Sequence, residues 1–350
     1  MSTDYALQQK LSDKLWQTLF GGGESALLTP WQIRQTGRSH AQVRAGELAA
    51  IETMLRELDD LHAGRRRFNR AGEIVDVPDD ASFTRSIRLN PLIEQVGDDP
   101  LLALRVPSAA EALAKIRLEA DILALRRSLN VRRIGLRADM LVESSAIDSL
   151  SERAVDADWL LRWQEAAARA VAEDFQSLWA RVLLNEVRQP GTHSLRTLAF
   201  LATLSRSDLE ALSLITRLDL GGFVCREAPG YFHADIHEPL LEHLRDIGLV
   251  SEDRKATLTL KSVSKEEFRV VLRCQAKALF IRGEGLHLTL AVYPFTRLGR
   301  EVIGLFNGMA DTAYLVAVGN ALKQRGCQVD IGDWFGQKGG TGLFSEQMSL

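Results

Sequence analysis

The sequence has few cysteines and no long apolar run. Its three cysteines, Cys225, Cys274 and Cys327, are far apart, odd in number and never form a Cys-x-x-Cys pair. This pattern argues against a disulfide framework and against a zinc site built on paired cysteines, and it predicts buried thiols in a reducing compartment.

No run of about 18 apolar residues is present, so a membrane-spanning helix is not expected. The first residues also lack the basic and apolar segments of a signal peptide. We therefore expect a cytoplasmic protein.

An excess of charge and the familiar catalytic motifs are also missing. The formal net charge is −3 over 350 residues, which argues against a uniformly basic nucleic-acid-binding protein but allows a local basic face. No Gly-x-Ser-x-Gly, Gly-x-Gly-x-x-Gly or Walker sequence occurs, and the glycines at residues 21–23 precede no Gly-Lys-Ser/Thr. We expect a hinge at these glycines, assign no catalytic residue and no cofactor, and lean against an enzyme.

Histidines and carboxylates gather in one part of the sequence. They are His233, Asp235, His237, Glu238, Glu242 and His243. A zincin motif needs two histidines four apart on one helix, with a glutamate directly after the first. Here His237-Glu238 is followed by Pro239, and the next histidine lies six residues after His237. We therefore interpret these residues as a helix surface and predict no metal site.

Long amphipathic helices are expected in the first 150 residues. Leucines at every fourth position predict a short helix over residues 5–20. Thr29-Pro30 is typical of a helix start, and we predict a helix from there to Phe68. Residues 71–107 contain four of the nine prolines, which predicts a long, mobile connection. Ser108 begins a second long helix that reaches about Ser145. This helix cannot bury its apolar stripe alone, so we expect it to pair with the first, as a hairpin or coiled coil, or with a second subunit.

The second long helix carries a cluster of arginines. They are Arg126, Arg127, Arg132, Arg133 and Arg137. A solvated helix face is one interpretation of this cluster, and we favour it. A face that follows the phosphates of a nucleic acid is the alternative.

Capping residues divide residues 156–218 into short helices. Asp156, Ser194 and Ser205 each stand before a segment with helical apolar periodicity. Pro190-Gly191 stops one of these helices before the next begins. The signals predict a central helical bundle over residues 151–220.

A mixed pattern of strands and helices follows residue 220. Phe223-Val224-Cys225 and Tyr231-Phe232 flank Pro229-Gly230, which predicts a small hairpin. The alternation of Leu286, Leu288, Leu290 and Val292 predicts antiparallel strands. The glycine-rich residues 336–350 are predicted to be a disordered tail.

Two segments of this region resemble a winged-helix module. Residues 240–250 resemble the segment in which a helix ends at a glycine, here Gly248, and leads into a strand, and residues 293–302 resemble the element that closes such modules. Winged helices bind DNA through a recognition helix, and many bind only proteins. The candidate recognition helix carries Glu238, Glu242 and Asp246, whose charges repel phosphate. We therefore favour a protein contact.

The central stretch also resembles a known family. A tryptophan helix is followed by Trp-Ala-Arg-Val-Leu-Leu-Asn-Glu-Val and then by Pro-Gly-Thr-His-Ser-Leu-Arg-Thr-Leu. This pattern is similar to the signature of the bacterial Domain of Unknown Function 2806 family, best over residues 156–218 and loosely over residues 30–302. A more distant similarity is to helical proteins of phage abortive infection. The resemblance implies a bacterial cytoplasmic protein with a role in phage defence or stress, and it supplies no catalytic residue. The motif residues are Trp159, Trp179, Leu183, Glu186, Pro190, Gly191, Ser194, Arg196, Thr197 and Leu198.

Most of these motif residues have an ordinary structural explanation. Trp179 and Leu183 are four apart and pack on one helix face. Ser194 can cap a helix, and Thr197 can bond to the preceding turn. Glu186 is the exception, because neither packing nor capping requires an acid there. We interpret it as a structural partner of Arg196 or of the loop amides, with a functional carboxylate as the alternative.

The sequence as a whole predicts an α+β, predominantly helical protein. We expect a long N-terminal helical hairpin or coiled coil, a central helical bundle and a C-terminal winged-helix-like α+β part. The main functional hypothesis is an interaction protein that acts through protein contacts and self-association. The alternatives are a nucleic-acid-binding regulator that uses the arginine face, and a membrane-active effector that uses the N-terminal helix. The predicted parts are residues 1–28, 29–150, 151–220, 221–335 and 336–350.

Overall fold

The structure is a computed structural model, and the chain divides into two compact units. The first consists of Met1–Ser145 with Trp163–Leu184, and the second of Ala146–Arg162 with Asn185–Leu350. The protein is α+β and predominantly helical, as the sequence predicts. The structure describes residues 2–20, 40–63, 65–68, 74–76, 109–144, 149–232, 234–262, 267–285, 287–306, 308–336 and 342–349.

The first unit is built on three long helices, α1 (Ser2–Phe20), α2 (His40–His62) and α3 (Ala109–Ser144). Ile51 and Leu58 of α2 form a buried cluster with Leu129 and Leu136 of α3. Within each helix the two residues are seven apart, so they lie on one face and meet the partner helix along a shared seam. The two long helices therefore pack against each other in the first unit. A Cβ atom at Gly135 would lie 2.7 Å from Leu19 Cδ1, because α1 approaches α3 closely there.

The first of the two long helices is shorter than the sequence predicts. Helix α2 ends at His62, and strands β1 (Arg66–Phe68) and β2 (Ile74–Asp76) form an antiparallel pair after it. The prediction of a helix as far as Phe68 is wrong, because Arg66 donates across the strand pair to the carboxylate of Asp76 at 2.7 Å. The predicted start at Thr29-Pro30, the glycine hinge and most of the connection over residues 71–107 lie outside the described residues.

Four shorter helices follow, and three of them begin at predicted caps. They are α4 (Ala157–Ala167), α5 (Glu173–Arg188), α6 (Leu195–Leu201) and α7 (Arg206–Thr216). The Asp156 carboxylate accepts the Trp159 N–H at 2.9 Å. Ser194 caps α6, and Ser205 forms a reciprocal capping box with Asp208 at the start of α7. These side chains satisfy amides that a helix leaves unpaired at its first turn.

Two antiparallel sheets belong to the second unit. The first has the order β3 (Phe223–Cys225), β7 (His287–Pro294), β4 (Thr257–Lys261), and the second has the order β5 (Phe268–Cys274), β6 (Lys277–Gly283), β8 (Gln328–Gly336), β9 (Gly342–Ser349). Leu288, Leu290 and Val292 of β7 are buried and alternate with more accessible residues. The alternation in the sequence therefore marked the strands correctly.

Two strand predictions need correction. Phe223-Val224-Cys225 does not form a hairpin with Tyr231-Phe232, because β3 pairs with β7 over Phe223↔Pro294 to Cys225↔Val292. Tyr231 instead closes a tight turn by donating its N–H to the Ala228 carbonyl at 3.1 Å. The predicted disordered tail contains strand β9, which pairs antiparallel with β8 and so gains a ladder of backbone hydrogen bonds.

Helices α8 (Ala234–Asp246), α9 (Arg297–Ile303) and α10 (Thr312–Gln324) complete the second unit. Gly248 adopts φ +78 just after α8, and Val250 bridges to Phe295. Thr296 caps α9 and donates its hydroxyl to the Gly248 carbonyl at 2.8 Å. A Cβ atom at Gly299 would overlap the Leu249 carbonyl, so only glycine allows this approach. The helix, the glycine and the closing element therefore contact one another, and the winged-helix-like assignment stays a prediction.

In the described part of the chain, no helix is both long and apolar enough to cross a membrane.

Candidate functional site

The turn between α5 and α6 is held by the buried carboxylate of Glu186. One of its oxygens accepts the Gly191 N–H at 2.5 Å, and the other accepts the His193 N–H at 3.0 Å. Only 2% of Glu186 is exposed, so these bonds replace the water that the carboxylate gives up. Gly191 has φ +92, which a side chain would make costly at this point of the turn. Of the two structural partners considered for Glu186, the structure shows the loop amides.

A second carboxylate, from Glu301 of α9, holds the start of α6. It accepts the Ser194 N–H at 3.0 Å and the Thr197 hydroxyl at 2.5 Å, and Arg297 donates to it at 3.1 Å. Burial raises the pKa of Glu301, but these hydrogen bonds lower it more, so the carboxyl pKa lies below its usual value. In the sequence, Glu301 stands out only as part of the closing element, residues 293–302. Its role was not predicted because no local spacing links residue 301 to residue 194.

Trp159 and His193 pack into the same turn. The indole Nε1 of Trp159 donates to the His193 carbonyl at 2.9 Å. His193 is 4% exposed, and burial lowers the pKa of its imidazole to about 4, although the charge of Glu301 opposes this shift. Its Nδ1 is buried and has no hydrogen-bond partner among the described residues. The imidazole is therefore neutral at physiological pH.

These contacts leave the turn with a structural role. Ser194 Oγ accepts the Thr197 N–H at 3.2 Å as a helix cap and lies 3.0 Å from Thr197 Oγ1. The His193 ring contacts the side-chain amide of Asn185, which lies 3.5 Å from Nε2. A nucleophile needs a base within hydrogen-bonding reach. In this turn the carboxylates bind backbone amides and hydroxyls, which is the chemistry of a fixed loop.

The remaining motif residues are mostly core residues. Trp179, Leu183, Pro190, Thr197 and Leu198 are buried. Arg196 differs, because it is exposed and makes no hydrogen bond or ion pair with a residue that the structure describes. Arg196 is therefore not the partner of Glu186, and the other alternative, the loop amides, holds.

Acidic residues of the first unit occupy most of the predicted arginine face. Arg126 pairs with Asp59, Arg133 with Glu52 at 2.9 Å, and Arg137 with Glu173 at 2.9 Å. The hydrogen bond and charge of Arg137 hold the pKa of Glu173 below its usual value. Arg132 lies 5.9 Å from the ring centre of Phe20. Arg127 is exposed and has no such partner in the described part of the chain.

A groove runs between α2 and α3 beside these ion pairs. We call it the α2–α3 groove, and its cavity volume is about 260 Å³. It is lined by Glu52, Leu55, Arg56, Asp59, Arg126, Asn130, Arg133 and Val171. Arg56 is exposed and forms no hydrogen bond or ion pair with another described residue.

The histidines singled out in the sequence do not converge. His243 Nε2 lies 2.7 Å from an Asp208 oxygen, and the His237 ring packs against Tyr231 and Phe232. His233 lies outside the described residues. Within the described ranges, no group of three or more histidine, cysteine or carboxylate side chains is placed to hold a metal ion.

All ten motif residues lie in a segment that a family model recognises. Residues 121–223 match the family described as "Protein of unknown function (DUF2806)". The resemblance inferred from the tryptophan helix and the Pro-Gly turn is therefore confirmed over this segment. The DUF2806 match covers less than half of the chain, extending from the middle of α3 to β3, and it does not include Glu301. No curated protein and no solved structure matches the chain.

Proposed function

We propose that the chain is a bacterial cytoplasmic interaction protein that works through protein contacts and self-association. Helix α3 provides the contact surface. The observation that carries this proposal is the exposure of two large apolar side chains on α3, Ile116 at 61% and Leu123 at 46%. They are seven residues apart, as in the seam of a coiled coil.

The exposed pair lies away from the face that already has a partner. At about 100° per residue, Ile116 and Leu123 project within about 20° of each other, and Leu129 projects roughly 140° from Ile116. Leu129 is packed against α2 in the buried cluster. A second copy of the chain could therefore cover Ile116 and Leu123 without disturbing the α2–α3 pair.

Self-association is tested by light scattering on the full chain after size-exclusion chromatography. We expect the native protein to have at least twice the mass of one chain, and the double variant Ile116→Lys/Leu123→Lys to have the mass of one chain, because lysines do not pack in a dry seam. Leu214→Lys is the matched control, since Leu214 is 50% exposed on α7 in the second unit. A native protein with the mass of one chain would contradict the proposal, as would a double variant that stays associated.

The two alternatives have less support. A nucleic-acid-binding regulator would use the face from Arg126 to Arg137, but Asp59, Glu52 and Glu173 already pair with three of its arginines. An electrophoretic mobility shift at graded salt tests this function, because phosphate contacts strengthen at low salt.

A membrane-active effector would use α1, but Leu11, Leu15 and Leu19 of its apolar stripe are buried. The resemblance suggests that the proposed protein contacts serve phage defence or a stress response.

A further inference from the structure

Three arginines line the α2–α3 groove. Arg56 comes from α2, and Arg126 and Arg133 come from α3. Two carboxylates, Glu52 and Asp59, also line the groove, so the lining side chains carry a formal charge of +1 (three cations and two anions). The groove therefore attracts an anion even with both ion pairs in place.

The ion pairs leave donors in the groove unused. A guanidinium group has five N–H donors, and a single carboxylate contact engages only one or two of them. The Nε–H of Arg133 is buried and has no acceptor among the described residues. Arg56 has no carboxylate partner in the described part of the chain. An oxygen-rich anion in the groove would give Arg56 a partner.

The size and the number of donors favour a phosphate group. Sites for drug-sized ligands have volumes of roughly 300–1,000 Å³, so a groove of about 260 Å³ suits a smaller ligand. A terminal phosphate presents three oxygens, one for each arginine, and a carboxylate presents only two. We propose that the α2–α3 groove binds a single phosphate group, as inorganic phosphate or as the terminal phosphate of a small phosphomonoester. This site goes beyond the proposed protein contacts and needs no continuous basic face.

Titration calorimetry on the full chain tests this proposal, with inorganic phosphate, adenosine monophosphate and adenosine as probes in low-salt buffer. We expect saturable binding of at least one of the two phosphate-bearing probes and none of adenosine. Arg56→Gln should weaken that binding at least tenfold, because it removes the guanidinium that has no other partner. Arg127→Gln is the matched control: this arginine is also exposed and unpaired among the described residues, but it does not line the groove.

With these probes and variants, three outcomes would overturn the proposal. They are no saturable binding of either phosphate-bearing probe, binding of adenosine equal to that of adenosine monophosphate, and equal weakening by Arg56→Gln and Arg127→Gln. An unphosphorylated thymidine oligonucleotide separates the sources of phosphate. The oligonucleotide should not bind more tightly than adenosine monophosphate if the groove is a phosphate site. If the oligonucleotide does bind more tightly, and if Arg56→Gln and Arg127→Gln weaken its binding equally, the arginines attract a nucleic-acid backbone diffusely and the groove is not a site. Thermal unfolding of both variants confirms that they remain folded.

Discussion

Replacing Glu186 with alanine is expected to lower the free energy of unfolding by about 2–5 kcal/mol, because the buried His193 amide loses its acceptor, at a cost of about 1–3 kcal/mol, and the partly buried Gly191 amide loses its acceptor at a somewhat smaller cost. Glu186→Gln should lower the free energy by roughly half as much, since one carbonyl oxygen remains to accept a hydrogen bond. Urea unfolding followed by tryptophan fluorescence measures both changes.

The matched control for this prediction is Glu165→Gln. Glu165 is exposed on α4 and makes no hydrogen bond or ion pair with a described residue, so its replacement should change stability by less than about 0.5 kcal/mol. If Glu186→Ala were as mild as Glu165→Gln, the carboxylate would not be holding the turn, and a functional role for Glu186 would regain support.

Acid should destabilise the protein through His193. The folded state holds the imidazole neutral with a pKa of about 4, while the unfolded chain has the usual value of 6.5. The unfolded state therefore binds the proton more readily below pH 6.5. The stabilisation from His193 is complete above pH 6.5, is lost as the pH falls towards 4, and changes little below that. A difference of about 2.5 pKa units corresponds to about 3 kcal/mol.

Comparing the native protein with His193→Gln isolates this effect, because glutamine does not titrate and carboxylate contributions cancel in the difference. The stability advantage of the native protein over the variant should shrink by about 3 kcal/mol between pH 7 and pH 4. The exposed His287 provides the control variant, His287→Gln. A difference between native protein and His193→Gln that stayed constant with pH would contradict the buried, neutral imidazole.

Local signals in the sequence predicted most of the elements. Asp156, Ser194 and Ser205 marked helix starts because capping depends on residues within three positions of one another. Pairings between distant segments were not predictable in this way. Pro229-Gly230 suggested a local hairpin, but the partner of β3 lies in β7, more than 60 residues later. The glycines near residue 340 suggested disorder, and pairing with β8 overrides that composition.

The candidate site was only half visible in the sequence. Glu186 stood out because packing did not explain an acid at its position, and its hydrogen bonds reach only seven residues along the chain. Glu301 is 107 residues from the amide that it binds, so no spacing rule connects them. The arginines of α3 suggested a basic face for a similar reason: Asp59 and Glu52, which pair with Arg126 and Arg133, come from another helix.

Amide hydrogen exchange measured residue by residue tests the central claim that two carboxylates hold the family motif as a structural turn. In the native protein the amides of Gly191, His193 and Ser194 should exchange slowly, because Glu186 binds the first two and Glu301 binds the third. Glu186→Gln should speed exchange at Gly191 or His193 and leave Ser194 slow, and Glu301→Gln should do the reverse. Fast exchange at all three amides in the native protein, or no change in either variant, would contradict the claim.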